Sequence, residues 1–506
     1  MENMIVPKSE NADICLILEG TYPFVQGGVS NWVYELIKIF PEYTFAVVFM
    51  GTREEDYHGL VYPLPENVVH LEICYLFEQT LHVSHSTEGI DPEVMKKIES
   101  MHDKFKKYTT DHTVEIPEIF DLLLNDDQVN RTQFMRSRQA WDFIEKKYTD
   151  NYPQQSFFDY FWSIRSLHTP FWYFGKIVDR IPRVKVLHSA STGYAGFLGA
   201  LLQKKYGNPY ILTEHGIYSN ERWIEIMRNY FFEKATQKGK NSDSGLSLAT
   251  MLIEFFKIIA KIAYGCSNPI ISLFEECRQY QIRDGALADR TRIISYGIDF
   301  HRYTFLAKEK PDQEKPVIAF IGRLVPIKDL KTYIRTMALV IKQKPAAEGW
   351  IIGPEKEDPA YVSACKSLVE YFGLQEKIKF LGYQNVMEIY PKIDMVALSS
   401  ISEGTPFAIL ESFAVGIPVV ATAVGGCGEL IFGKNEEDKK LGAAGKLVNI
   451  ADPDAMAKAV IELLNETEWQ SAQKVGYERV RKFYSMEQLK HNYGEIYKEA
   501  MSSWQG

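Results

Sequence analysis

The sequence predicts an α/β protein built from two similar parallel-sheet halves. Three observations carry that expectation. Short apolar runs bounded by turn residues alternate with helical patterns, as in strand–crossover–strand units. The alternation restarts near Val317, and a polar stretch with two prolines, Leu306–Pro316, separates the two runs. The 506 residues leave room for two or three domains at roughly 100–200 residues each.

Taken in order, Asp13–Leu18, Thr44–Phe49, Val184–His188, Tyr210–Thr213 and Pro269–Ser272 read as buried strands of a first domain, residues 1–305. Trp32, Leu36 and Phe40 recur at helical spacing and open the first crossover helix. Residues 78–160 are rich in Lys, Asp and Glu with a mostly helical period, too long for a loop, and read as a helical insertion. The tract from Lys238 to Ser247, KGKNSDSGLS, reads as a mobile loop. Residues 306–316 form a linker. Val317–Ile321, Trp350–Ile352, Ile378–Leu381, Met395–Leu398 and Val419–Thr422 then read as strands of a second domain, residues 317–482. The final stretch, 483–506, is helical in pattern. Two such halves leave a cleft between them that their strand ends face.

Composition narrows the function. Hydrophobic residues make up 46% and charged residues 24%, which excludes a disordered chain or a small disulfide scaffold. A formal charge of −9 argues against a surface that neutralises nucleic-acid phosphates, although a nucleotide needs only two or three local cations. Cys15, Cys74, Cys266, Cys277, Cys365 and Cys427 are scattered without a CxxC pair, as expected of reduced thiols in a cytoplasmic protein. The start lacks the basic n-region and long apolar core of a signal peptide. The greasiest helix, Met251–Tyr264, carries Glu254, Lys257 and Lys261, so it cannot span about 30 Å of hydrocarbon. Core packing and a docking face for a membrane partner both remain open for it.

The strongest chemical signal runs from Ser399 to Glu411. A strand ends near Ser400, a loop carries Glu403, and Thr405-Pro406 suits a helix start, with Thr405 as cap and Pro406 first. The next amides lack intrahelical partners and make a ready anion or hydroxyl site. Glu411 falls two turns into that helix, a spacing suited to the two ends of an extended ligand. Arg323 and Lys328 flank the loop after the first strand of the second half, where both cations can converge on a diphosphate. Gly27 and Gly28 precede a helix after the first strand of the chain, and His215 stands at the end of an apolar strand facing the cleft. Asp452-Pro453-Asp454 imitates a DxD metal motif but precedes a strongly helical stretch, so a helix cap is the better reading. His82 and His85 lack further ligands at metal spacing and read as surface residues.

Together, GGV near the start, ILTEHG, TRIISYGID, FIGRLVPIKD, SEGTPFAILE and VATAVGGCGEL resemble the retaining glycosyltransferases of family 4, in that family's order across both halves. The resemblance implies the GT-B fold of two facing Rossmann-like domains, the first on the acceptor side and the second binding a nucleotide sugar. It places Arg323 and Lys328 on the donor diphosphate, Glu403 against the donor sugar and Glu411 on the ribose. It also places Gly404, Thr405, Pro406 and Phe407 at the helix mouth, Gly27 and Gly28 on a closing loop, His215 beside the transferred sugar, and Tyr383 near the base. The terminal helix would cross back to the first domain. The segments from Ile14 to Ile37 and from Ile211 to Arg222, with the insertion, resemble more narrowly the cytoplasmic glycosyltransferases of Pel exopolysaccharide assembly.

That resemblance implies transfer from a UDP-sugar to a polysaccharide acceptor, beside a membrane-embedded synthesis and export complex, with no nucleic acid involved. A double displacement needs a carboxylate nucleophile, for which Glu214 and Glu19 are available without supporting context. Front-face substitution needs only stabilisation of the leaving diphosphate, which Arg323, Lys328 and helix-mouth amides suit; no metal is then expected. The alternatives are a UDP-sugar epimerase of the same fold and a catalytically silent UDP-sugar-binding scaffold.

Overall fold

The computed structural model describes residues 6–77, 89–108, 117–124, 137–236, 244–303 and 314–504. His82, His85, most of the KGKNSDSGLS tract and residues 306–313 of the linker lie outside the described residues. The chain divides into two compact units. The first comprises Met1–Ser272, Gln279–Arg292 and Gly494–Gly506; the second comprises Leu273–Arg278 and Ile293–Tyr493.

Among the described residues, the first unit is organised on β1 (Asn11–Glu19), β2 (Phe45–Gly51), β3 (Val68–Tyr75), β4 (Arg183–Ser189), β5 (Tyr210–Glu214), β6 (Ile270–Ser272) and β7 (Thr291–Ile293), in the sheet order β3-β2-β1-β4-β5-β6-β7. The pairings from β3 through to β6 are parallel. β1 and β2 are near-continuous apolar runs because both of their faces are covered: Ile14 to Leu18 and Phe45 to Met50 are buried without alternation. The helix Gly28–Ile39 buries Trp32, Val33, Leu36 and Ile37 along one stripe. The helix Tyr194–Tyr206 ends on Gly207 at φ 73°, a left-handed closure that glycine adopts without strain. The described parts of residues 78–160 are helical, at Pro92–Tyr108, Pro117–Leu124, Arg138–Asn151 and the start of Phe157–His168. Residues 251–264 belong to the helix Ser244–Cys266 and are core: Ile258, Ile259 and Ile262 are buried, and Met251, Phe255 and Phe256 pack against the same cluster.

The second unit repeats the plan. β8 (Val317–Ile321), β9 (Glu348–Ile352), β10 (Ile378–Gly382), β11 (Met395–Leu398), β12 (Val419–Thr422) and β13 (Gly445–Val448) lie in the order β10-β9-β8-β11-β12-β13, parallel throughout. Numbered from its own first strand, this is 3-2-1-4-5-6, and β1 to β6 follow the same order. In such sheets the connections diverge between strands 1 and 4, and ligands bind outside the carboxyl ends there. Those positions are β1/β4 and β8/β11. The helix Leu330–Gln343 covers this sheet with Leu330, Tyr333, Ile334, Met337, Val340 and Ile341. Asp452 caps the helix Pro453–Leu463 by accepting from the Ala455 amide at 2.9 Å, as its DxD-like context suggested. Among the described residues no helix is long and apolar enough to cross a membrane, and all six cysteines are free thiols.

A fully buried ion pair fastens the last helices of this unit. Arg479 donates to Asp438 Oδ1 at 2.6 Å and to the carbonyls of Leu430, Ile431, Asp438 and Gly442. Without it the Asp438 carboxylate would be left buried and without its charge partner. Arg479→Ala should therefore cost about 3–5 kcal/mol. Lys446→Ala, which removes a partly exposed cation from Glu462 and Glu468, should cost about 1 kcal/mol or less. Urea unfolding of the two variants checks the contrast.

Candidate active site

In the second unit, the residues singled out by sequence collect at the β8/β11 switch point. β8 ends at Ile321, and its loop closes through a turn at Pro326–Lys328. Asp329 follows in the left-handed region at φ 44°, uncommon for a residue with a side chain. Two contacts hold it there: its carboxylate accepts from Thr332 Oγ1 at 2.6 Å, and its carbonyl accepts from Ser399 Oγ at 2.8 Å. Ser399 also bonds the Lys328 carbonyl at 3.2 Å, so the end of β11 fixes the end of the β8 loop. Lys328 Nζ then reaches both carboxylate oxygens of Glu403 at 2.6 Å, and Ser400 Oγ donates to Glu403 Oε1 at 2.6 Å. The Glu403 side chain is 7% exposed and that of Lys328 19%, so this charge pair is largely desolvated.

The loop carrying Glu403 rests on the loop after β12. Gly426 N donates to the Gly404 carbonyl at 2.8 Å. Gly425 stands at φ 52°, and a Cβ there would lie 2.0 Å from the Glu403 carbonyl oxygen, so only glycine lets the two loops meet. The helix begins at Phe407, with Pro406 at the cap position and no side-chain cap. This corrects the expectation of Thr405 as cap: Pro406 has ψ 117°, outside the helical range, so the helix starts one residue later. Thr405 is left buried, at 7% exposure, and its Oγ1 has no hydrogen-bond partner. Phe407 stacks on Tyr296 at 4.5 Å, which ties the TRIISYGID segment to the helix mouth.

Glu411, two turns along, accepts from Tyr303 Oη at 3.2 Å and Tyr390 Oη at 3.1 Å. Burial raises its pKa, while the two tyrosines and the Arg302 charge oppose that rise. Arg323 is not joined to Lys328; it is exposed and pairs with Glu357 at 2.6 Å. Tyr383 is 72% exposed and follows Gly382, which adopts φ 66°. Ser400, Tyr303, Tyr390 and Glu357 went unrecognised in the sequence. Ser400 lay inside the motif already singled out, whereas the others carry no local signal.

The first unit gathers its polar residues at the ends of β1, β4 and β5. Gly27 caps the helix Gly28–Ile39, and a Cβ on it would meet nothing within 4 Å, so internal packing does not demand glycine there. The His215 ring is buried edge-on to Trp32 at 4.3 Å, with burial and neighbouring His188 pushing its pKa down to about 3. His188 bonds Tyr497 Oη at 2.8 Å and Thr213 Oγ1 at 2.9 Å, and burial lowers it similarly to about 3. Both rings are neutral at physiological pH. Glu214 is wholly buried and accepts from Thr192 Oγ1 (2.8 Å), Tyr264 Oη (2.6 Å), Gln281 Nε2 (3.1 Å) and Tyr218 N (3.5 Å). Glu19, at the end of β1, accepts from Tyr218 Oη at 2.7 Å and Ala195 N at 3.3 Å.

The class of protein with these two parallel-sheet units is given by sequence comparison. Residues 315–466 match the family described as glycosyl transferases group 1. Residues 12–289, more than half of the chain, match the family described as a domain of unknown function (DUF3492), and the protein belongs to it. Among curated proteins, D-inositol 3-phosphate glycosyltransferase of Nocardia farcinica is 28% identical over 204 residues, covering 38% of this chain and 44% of that one. The match thus spans less than half of that relative's length. The fold is that of sucrose-phosphate synthase from Thermosynechococcus elongatus (TM-score 0.57, 16% identity, 97% of this chain and 100% of that one). It is likewise that of HepE from Anabaena, solved in complex with UDP (TM-score 0.55, 14% identity, 96% and 100%). The architecture is GT-B.

Burial pushes Glu214 up to about 7. A carboxyl raised in the folded state stabilises it fully below the unfolded value near 4.5, and that contribution is lost as pH rises toward 7. Glu214→Gln should therefore flatten the fall in stability between pH 4.5 and 7 relative to the parent, read as urea midpoints across that range.

Proposed function

We propose that the protein is a retaining glycosyltransferase that moves a sugar from a UDP-sugar to a growing exopolysaccharide by metal-independent front-face substitution. The observation that carries this reading is the Lys328–Glu403–Ser400 cluster set against the open helix mouth at Thr405–Phe407. HepE, of the same fold, binds UDP and UDP-glucose, which supports UDP as the nucleotide. The resemblance of residues 14–37 and 211–222 to PelF supports a Pel-type polysaccharide as the acceptor, with work beside a membrane-embedded export complex.

In this reading Lys328 supplies positive charge to the departing diphosphate while first-turn amides bind its oxygens. Arg323 joins it by exchanging Glu357 for phosphate; at 57% exposure its side chain is free to swing. Glu403, oriented by Lys328 and Ser400, accepts from the donor sugar's hydroxyls. Glu411, held by Tyr303 and Tyr390, accepts from the ribose. His215, neutral, lies by the transferred sugar, Gly27 and Gly28 close over the phosphates, and Tyr383 flanks the base. The acceptor hydroxyl attacks the anomeric carbon on the face the diphosphate leaves, and a phosphate oxygen takes its proton. Double displacement is disfavoured by Glu214 itself, which has no exposed surface and has both oxygens committed to internal donors.

Lys328→Ala and Arg323→Ala should each lower turnover on the order of 100–1000-fold, as loss of one charge-stabilising contact does. UDP release from UDP-glucose, UDP-GlcNAc, UDP-GalNAc and UDP-galactose, measured in chelator beside Glu403→Ala, tests the whole reading. Release from one donor, lost in the variant, is expected. Rescue only by Mg²⁺ or Mn²⁺ would overturn metal independence. A product still attached to UDP would indicate an epimerase, and binding without turnover a scaffold.

A further inference from the structure

Lys328 stands one residue before a joint in the backbone. The turn Pro326–Lys328 and the helix Leu330–Gln343 share Asp329, which ends the one and begins the other. Asp329 lies at φ 44° and ψ 52°. That left-handed region is disfavoured for residues with a Cβ, and Asn and Asp enter it more readily than other side chains because they bond locally. Here the carboxylate meets the helix start, accepting from the Thr332 amide at 3.3 Å and from Thr332 Oγ1 at 2.6 Å. The direction in which the chain leaves Lys328 is thus set by one residue that tolerates this backbone and caps the helix at once.

Residues just beyond β11 grip the same joint from the other side. Three successive carbonyls of the β8 loop are taken by them. The Ile327 carbonyl accepts from the Ile401 amide at 2.8 Å. The Lys328 and Asp329 carbonyls accept from the one hydroxyl of Ser399, at 3.2 and 2.8 Å. Ser399 is fully buried, so water does not compete for those carbonyls there. Ser400, the residue between, turns to Glu403 instead. Ser399 to Ile401 therefore hold both members of the Lys328–Glu403 pair, the lysine by its backbone and the glutamate by its side chain. The Ser399 proton and the Asp329 carboxylate are engaged inside the protein, so their influence on a ligand runs through Lys328.

We propose that Asp329 and Ser399 are positioning residues for Lys328: together they fix its backbone so that its ammonium stands beside Glu403, where the donor's diphosphate meets it. The inference rests on the transferase reading above and adds two residues that act on the donor without touching it.

The test measures binding of UDP by calorimetry and of uridine by ligand-observed NMR, both to the full chain. Lys328 acts on the diphosphate, which only UDP carries. Ser399→Ala is expected to weaken UDP about tenfold, the size of one internal hydrogen bond written as an equilibrium constant, and to leave uridine unchanged. In a Lys328→Ala background the same change should have no further effect on UDP, because residues that act through one another are not additive. Asp329→Asn, which keeps the left-handed backbone and the cap, should bind UDP as the parent does. Asp329→Ala should lose about tenfold, since alanine resists that backbone and caps nothing. Equal losses of UDP and uridine in Ser399→Ala would overturn the proposal, as would parent-level UDP affinity in that variant. So would a tenfold effect persisting in the Lys328→Ala background, or an Asp329→Asn as weak as Asp329→Ala. A parent chain that binds no UDP would strike the transferase reading itself, and this inference with it.

Discussion

The adjacency of β8 and β11 is the constraint on which the candidate site depends. It brings Lys328 to Glu403 across 75 residues of sequence and buries most of the resulting ion pair. A desolvated pair of this kind is not a large source of stability, since removing both charges from water offsets much of their attraction. Its value is positional. Glu403 is fixed by Lys328 and Ser400 on one side and by the Gly425–Gly426 backbone on the other, and the helix mouth at Phe407 is aimed by the same loop. Breaking either charge leaves its partner buried and unpaired, so function and local integrity are coupled here.

The two units solve the same topological problem with opposite electrostatics. At β8/β11 a lysine is paired with a carboxylate beside a helix that no side chain caps. At β1/β4 a glutamate already caps the corresponding helix, and burial raises its pKa against the opposing help of Tyr218 and Arg222. One strand order thus carries an uncapped helix start in one unit and, in the other, a helix start whose amide is met by a carboxylate.

Much of this was readable from the sequence because parallel strands covered on both faces are plain apolar runs. All the runs from Asp13–Leu18 to Val419–Thr422 became strands. β3 escaped because His70 and Glu72 interrupt it; both are buried, and Glu72 is neutralised by Lys8 and Arg180. β7 is three residues long, and β13 opens with glycine and lysine, so neither shows a period. At the site, the helix-mouth string singled out Glu403 and Glu411 as candidates. What it could not display was partnership across distance: Tyr303 stands 108 residues from Glu411, and Lys328 75 from Glu403. The cap was misplaced by one residue because Thr-Pro fits the rule for a helix start, while here the proline keeps an extended ψ and leaves the threonine hydroxyl unbonded.

The central claim is that a UDP-sugar binds at the β8/β11 switch point. Backbone hydrogen–deuterium exchange of the full chain, with and without saturating UDP, tests it most directly. Protection should appear in Gly322–Lys328 and Glu403–Glu411 and be lost in Lys328→Ala. Protection confined to other segments, or none at saturating UDP, would contradict the account.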